Sequence, residues 1–502
     1  MSHQQYLTIL DYTKRYKTWL LVAFSIFIFT YSYFIFNFIF GNHDYNIIQG
    51  GISWHGHSLV ARPLSDVAIQ LTQGLYISVI TPFISLLLFF ISAVLFVFLF
   101  IKKHDSEVKI FFSVLTFVLY PTLIGRMYYE GACIGHNLAM VVLLIGCHTI
   151  LFSNKKIYII LSTICFYFVL SCSQVFINTI WTIFLLMIAF SIISNKDINF
   201  RGFIISNVIS VIAYFGTIKL FGLYGKGYNT TLATTGEFLG SFIKCLSSHI
   251  DIFYKTQPPF IMLEKIILII IACIAIFNII KLANSKKKKI ILLLCFVLLF
   301  ISHNPSGYIS GRATAHSGQL RIDYHSIPLI FSFLVIFCFN FRMRKIYIVT
   351  CSVLVFLLAV SDCRALQIWK TLLDREQFYC NRLISRIEMN INFDIKKSYN
   401  YIQIGNRPSH SESLIKKHKI RTLELQRPFH HGGNQEGMLK YINPYLKIKS
   451  VNGKSKIDAV YKYKEKLSNA KAYPSKDSIF IIDNNIFVIL DLNELKRILR
   501  NK

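Results

Sequence analysis

The chain alternates between long apolar blocks and polar connections. The apolar blocks lie at roughly 19–40, 74–101, 109–124, 137–153, 157–172, 174–193, 202–223, 262–282, 290–302, 326–340 and 346–361. An α-helix crossing a hydrocarbon core needs about 18 or more residues with few charges, and most of these blocks approach or exceed that. Those at 109–124 and 290–302 are short for a full crossing, although the lysines beside the second can snorkel to the interface. The blocks do not repeat at a fixed period. No inverted pair of broken helices, the mark of many transporters, appears among them. The pattern predicts a polytopic α-helical membrane protein with about eleven transmembrane helices.

The connections are of two kinds, and they alternate. One set is short and basic: Lys102-Lys103 with Lys109, Lys155-Lys156, Lys196 with Arg201, Lys286 to Lys289, and Arg342 with Arg344-Lys345. The other set is longer and mixed, at 41–73, 125–136, 224–261 and 303–325. Lys and Arg concentrate in cytoplasmic loops, so the basic set and the head Asp11 to Lys17 belong inside. Everything after the last span then lies outside, which divides the chain into a transmembrane domain, 1–361, and a C-terminal domain, 362–502.

In that second domain the periodicity changes. Leu366, Trp369, Leu372, Leu373, Phe378, Leu383, Ile384 and Ile387 fall at helical spacing, which predicts one or two amphipathic helices over Leu366 to Ile391. Short β-rich pieces follow at Tyr399 to Ile404, Tyr445 to Val451 and Ser478 to Leu492. The last of them turns around Asp483-Asn484-Asn485, where Asn tolerates the positive φ of a hairpin turn. A small α/β domain on the outer face is the expectation.

Composition adds two constraints. With 54% hydrophobic residues, 44 Phe and 27 Tyr, the chain is too apolar for an ordinary soluble protein of its length. A net charge of +29 would by itself point to nucleic acid. Here the charge sits in short clusters beside apolar blocks and in the tail, without an interleaved aromatic pattern, so nucleic acid is excluded as the partner. The eleven cysteines show no metal spacing. Cys363 and Cys380 share a polar region and could pair in an oxidising compartment. No cleaved signal peptide is expected, because the first apolar run is too long and lacks a small-residue cleavage site.

The chemistry-bearing residues gather in the mixed connections. Gly41 to Gln73 holds Asp44, Trp54, His55, His57, Arg62 and Asp66; the next holds Arg126, Tyr129 and Glu130; the one at 303–325 holds Arg312 and Arg321. Outer arginines run against the orientation bias, and a row of them suits a phosphate at headgroup depth, held bidentately, or else ordinary anionic lipid headgroups. Asp44 reads as a general base at the membrane boundary or as a capping acid, with Glu130 the second candidate base. Asp66 follows Arg62-Pro63 in a helical turn and reads as a cap. Trp54 suits stacking on a sugar ring or anchoring at the interface, and His55, His57 and Tyr129 are candidate acceptor or sugar contacts. The His-x-His pair with Asp44 is too loose a set to call for a metal.

Four features together resemble one family. They are the order Asp44, Trp54, Arg62 in the first outer connection, the apolar profile over the first 360 or so residues, the segment QIWKTLLDREQFYCNRLISRIE, and the closing YPSKDSIFIIDNNIFVILDL. In these the chain is similar to the Gtr-type (GtrII-like) O-antigen glucosyltransferases of the GT-C class. It departs from them in showing His43-Asp44 where an acidic pair is common, and Ala61-Arg62 where Gly-Arg is. The resemblance implies a bacterial inner-membrane enzyme with a cytoplasmic N-terminus and a periplasmic C-terminal domain. Glucose would pass from undecaprenyl-phosphate-glucose to an O-antigen hydroxyl with inversion and without a nucleotide or other cofactor. Asp44 would be the base, and Arg62, Arg126 and Arg312, with Arg321 beside them, the phosphate ligands. The partners implied are a separate flippase and a donor-synthesising glycosyltransferase. O-antigen polymerases and lipid-linked sugar flippases share many spans and outer arginines and stand as the alternative, although a polymerase would carry one dominant outer loop and a short tail.

The alternation of basic and mixed connections generates a topology test. Reporter fusions at Lys103, Lys156, Lys288 and Arg344 should read as cytoplasmic, and fusions at Tyr128, Thr234 and Ser450 as periplasmic. A cytoplasmic signal at Ser450 would rule out an odd number of spans.

Overall fold

The computed structural model describes residues 9–37, 79–101, 105–121, 130–151, 155–173, 176–194, 197–221, 262–302, 326–339, 343–405 and 432–500. A helix stands in each of the eleven apolar blocks. These are α1 Ile9–Phe36, α2 Ile80–Phe98, α3 Glu107–Val118, α4 Glu130–Leu151, α5 Lys156–Cys172, α6 Phe176–Ser194, α7 Phe200–Leu220, α8 Met262–Leu282, α9 Lys286–Ser302, α10 Ser326–Cys338 and α11 Arg344–Glu388. Seven of them, α1, α2, α4, α6, α7, α8 and α11, are long and apolar enough to cross a membrane. The chain is a polytopic helical membrane protein. Its described residues from Ile9 to Gln367 form one compact unit, and those from Ile368 to Arg500 a second.

The first unit is held by aromatic packing and by hydroxyls that bond across helices. Phe100 meets Phe333 edge-on at 4.9 Å, and Phe117 meets Phe89 at 5.2 Å and Phe96 at 5.6 Å. Between α3 and α10, Ser113 Oγ donates to the Ser332 carbonyl at 2.5 Å, and Ser332 Oγ donates back to the Ser113 carbonyl at 2.9 Å. In an apolar medium the pull between helices comes from such close packing and hydrogen bonding, and small residues allow the approach. Both α3 and α10 are buried along nearly their whole length. They need not match the bilayer thickness, because protein surrounds them.

Helices α4 and α5 are also in close contact. Ser162 Oγ donates to the Gly146 carbonyl at 2.9 Å, and a Cβ at Gly146 would stand 2.9 Å from the Cys165 Cβ. At the start of α7, Asn199 Oδ1 accepts from the Gly202 amide at 2.8 Å and caps the helix.

Two expectations change. The final apolar block and the amphipathic segment after it form one unbroken helix, α11, because the Ser361-Asp362-Cys363-Arg364 junction contains neither Gly nor Pro. Cys363 and Cys380 are both free on that helix. A continuous helix keeps residues this far apart in sequence beyond the roughly 7 Å Cα separation that a disulfide tolerates.

The second unit contains a four-stranded sheet in the order β2-β1-β4-β3, with β1 Tyr399–Ile404, β2 Ile448–Ser450, β3 Ile479–Ile482 and β4 Asn485–Ile489. β1 runs parallel to both β2 and β4, and β3 and β4 form the expected hairpin. Its positive φ, 53°, falls on Asp483 and not on an Asn. Helices α12 Gly432–Ile442, α13 Gly453–Lys462, the single turn α14 Lys464–Leu467 and α15 Leu492–Arg500 belong to the same unit. Ile402, Ile404, Val460, Phe487, Leu495 and Ile498 share its core. Gly405 has φ 86°, and a Cβ there would meet the backbone of Asp491, so the chain can leave β1 only through glycine. Tyr401 is buried, and desolvation, with smaller contributions from Tyr379 and Cys380, holds its phenol well above the usual range.

The α4–α5 approach predicts the effect of one substitution. Gly146→Val forces the helices apart, and overpacking of this kind costs about 1–3 kcal/mol. The detergent-solubilised variant should unfold at a lower temperature than the parent by static light scattering or tryptophan fluorescence; an unchanged midpoint would contradict the close contact.

Candidate functional site

The contacts between helices sort their ends. Tyr12 on α1 meets Phe98 on α2, Tyr16 Oη donates to the Asp105 carbonyl just before α3, and His148 near the end of α4 bonds the Leu95 carbonyl of α2. Asn278 near the end of α8 donates to the Phe337 carbonyl at the end of α10. These contacts bring together, at one end of the unit, the starts of α1 and α3 and the finishes of α2, α4, α8 and α10. At the opposite end α1 and α3 finish, and α2, α4, α6, α8 and α10 begin.

That opposite end is where the mixed connections attach. Asp44, Trp54, His55, His57 and Arg62 lie between α1 and α2, Arg126 and Tyr129 between α3 and α4, and Arg312 and Arg321 between α9 and α10. All nine lie outside the described residues. Glu130 is the first residue of α4, and its side chain is also outside what is described. The geometry of the sequence-predicted set is therefore fixed only by where its anchoring helices end.

The described residues at this end carry chemistry of their own. Tyr31 on α1 donates its hydroxyl to Asp362 Oδ2 on α11 at 2.6 Å, and both residues are fully buried. Next to Asp362, Ser361 Oγ donates to Glu264 Oε2, in the first turn of α8, at 2.8 Å; Glu264 is also fully buried. The two carboxyl groups lie close enough to act on each other electrostatically, and Glu264 acts on Tyr120 beyond the end of α3. Tyr120 stacks on Phe331 of α10 at 5.5 Å. The ends of α1, α3 and α8 and the middle of α11 thus converge on two buried acids. Burying an unpaired charge is costly, which is why hydroxyls from α1 and α11 are turned onto these oxygens.

The same end collects buried polar atoms that have no hydrogen-bond partner among the described residues: Thr116 Oγ1, Asn137 Oδ1, Ser171 Oγ, Ser173 Oγ, Thr179 Oγ1, Ser326 Oγ and Asp362 Oδ1. Asn137 uses its amide to hold Ser85 of α2, donating to the carbonyl at 2.8 Å and to the hydroxyl at 2.7 Å. His136 lies in α4 with its ring 6.1 Å from Phe176. No group of three or more His, Cys, Asp or Glu side chains able to hold a metal occurs among the described residues.

Reading the sequence missed Glu264, Asp362 and Tyr31. The available signal was an acid at or inside an apolar run, which in a membrane helix is rare and marks function by default. Ending the last span at residue 361 placed Asp362 just outside it.

No family model, curated protein or solved structure matches this chain.

The buried pair can be tested on its own. Tyr31→Phe removes the only donor to Asp362 Oδ2 among the described residues, and orphaning a buried acceptor costs about 1–3 kcal/mol. The single variant should lose thermal stability in detergent, and Tyr31→Phe combined with Asp362→Leu should recover part of it, because both polar partners are then gone. Wild-type stability in Tyr31→Phe would dissolve the claimed link between α1 and α11.

Proposed function

We propose that this protein is a GT-C-like glucosyltransferase with about eleven spans in a bacterial inner membrane. It moves glucose from undecaprenyl-phosphate-glucose to a sugar hydroxyl of O-antigen on the periplasmic face. The observation that carries the reading is the gathering of buried carboxylates, amides and hydroxyls at the end of the bundle to which the Asp44 and arginine connections attach. A polar, partly enclosed end beside an apolar bundle suits a reaction between a membrane-held phosphate and a water-borne hydroxyl.

In this reading Asp44 takes the proton from the acceptor hydroxyl as its oxygen attacks the anomeric carbon. The bond from that carbon to the phosphate oxygen breaks, undecaprenyl phosphate leaves, and the configuration inverts. Arg62, Arg126, Arg312 and Arg321 hold the phosphate, and guanidinium forks match its oxygens. Trp54, His55, His57 and Tyr129 contact the sugars, and Glu130 is the reserve base. The scheme draws on no nucleotide or metal. One structural feature favours a second reading: acids buried within spans, such as Asp362, are also what ion-coupled transporters and flippases of lipid-linked sugars use.

Membrane vesicles supplied with labelled undecaprenyl-phosphate-glucose and O-antigen acceptor separate the two. Asp44→Asn should cut transfer by about 10²–10⁴, the usual worth of general-base assistance, with the protein still in the membrane. Arg62→Ala, Arg126→Ala and Arg312→Ala should each weaken donor use, and Lys at these positions should restore it only in part. If Asp44→Asn is normal and Glu130→Gln is dead, the base sits after α3. No transfer by the parent protein at all would end the transferase reading.

A further inference from the structure

The surface of the first unit carries a groove of about 700 Å³ between α1, α3 and α11. Its walls are apolar and rich in rings, among them Phe29, Phe111, Phe112, Val355, Phe356 and Val360. On α11 the lining residues run from Ser352 to Gln367 at spacings of three and four, a single helical stripe. At 1.5 Å per residue that stripe is roughly 22 Å long, most of the depth of a hydrocarbon core. Phe29 is 81% exposed and Phe356 65% exposed, so the groove opens sideways, toward lipid when the bundle is in a membrane.

The two ends of the groove differ. Toward Ser352 it is apolar. Toward Gln367 it is lined by Thr30, Cys363, Arg364 and Gln367. Arg364 is exposed and has no hydrogen bond or ion pair with any described residue. Thr30 and Cys363 are the sequence neighbours of Tyr31 and Asp362 and bond to each other, with Cys363 Sγ donating to the Thr30 carbonyl at 3.5 Å. The polar mouth therefore lies against the buried Tyr31–Asp362 pair, at the end of the bundle to which the mixed connections attach.

An apolar slot one helix-stripe wide, with a cation at its mouth that has no partner among the described residues, is complementary to an amphiphile with one long chain and one anionic head. We propose that this groove seats the isoprenoid chain of a polyprenyl phosphate, with Arg364 meeting the phosphate. The assignment rests on the transferase reading above for the identity of the lipid, and it gives that lipid a lateral route from the bilayer to the reacting end. A phospholipid would also offer a phosphate, but it brings two chains to a slot built for one.

The exposed thiol of Cys363 is a built-in reporter. The full-length protein, reconstituted in phosphatidylcholine nanodiscs, is alkylated with N-ethylmaleimide, and labelling of Cys363 is followed by peptide mass spectrometry. Cys273 on α8, also exposed and not part of the groove, is the internal control. Undecaprenyl phosphate should slow Cys363 labelling severalfold and leave Cys273 unchanged. Undecaprenol, phosphatidylglycerol and inorganic phosphate should protect weakly or not at all. Arg364→Ala should reduce the protection severalfold, Arg364→Lys should keep more of it, and Ala359→Trp, which fills the slot, should weaken it with the arginine in place. Equal protection by phosphatidylglycerol, or none by undecaprenyl phosphate, overturns the proposal. Glucose transfer measured on the same samples separates the two claims. Transfer without protection leaves the transferase reading and removes the groove; protection without transfer does the reverse.

Discussion

The hydrogen bond from Tyr31 to Asp362 joins positions 331 residues apart, the first apolar helix and the last. Nothing local selects it. It exists because a carboxyl group carried into a medium without water must find donors within the protein, and for Asp362 that donor is the Tyr31 hydroxyl of α1, while Ser361 serves Glu264. The same demand draws in Glu264 from α8. Three helices distant in sequence are thereby locked to one another at one level of the bundle. Loss of any member leaves a buried oxygen for which the surrounding apolar side chains offer nothing. This makes the cluster a constraint on register as well as a store of chemistry, since sliding α11 by one turn would set Asp362 against carbon.

Around that level the bundle is asymmetric. Toward the starts of α1 and α3 the interior is filled with rings, such as Tyr12 against Phe98 and Phe100 against Phe333. Toward the starts of α4, α6, α8 and α10 it contains Asn137, Thr179, Glu264 and Ser326. The transfer proposed above would need both parts: a close-packed body that excludes water and a polar rim where charge can be held. The lateral groove meets the rim at Thr30 and Cys363.

Much of the helical architecture was legible in the sequence because the membrane imposes a coarse rule on composition: apolar blocks become helices, and each of the eleven blocks holds one. The junction at Ser361-Asp362-Cys363-Arg364 was misread for a physical reason. Polar residues there resemble the end of a span by hydropathy, but helix continuity depends on backbone freedom, and no residue in the junction breaks it. The β3–β4 hairpin was visible in the run of Ile, Phe and Val around Asp483 and Asn484. The terminal helix α15 was not, because only Leu495 and Ile498 of its nine residues are buried and periodicity needs more than two points. For the candidate site the residue types pointed to the connections, while the buried acids stayed hidden. Glu264 and Asp362 look like boundary charges until the fold shows that both are fully buried.

The reciprocal pair of Ser113 and Ser332 has a further consequence for how the chain is made. α3 and α10 are the two shortest helices of the bundle and are covered almost entirely by other helices, yet 219 residues separate the serines. At synthesis rates of about 5–20 residues per second, α10 emerges on the order of ten seconds or more after α3. Through that interval α3, too short to span unaided and unable yet to bond its serine to a partner, depends on neighbouring helices or on the insertion machinery. The Ser113–Ser332 contact is thus among the last of this bundle to close.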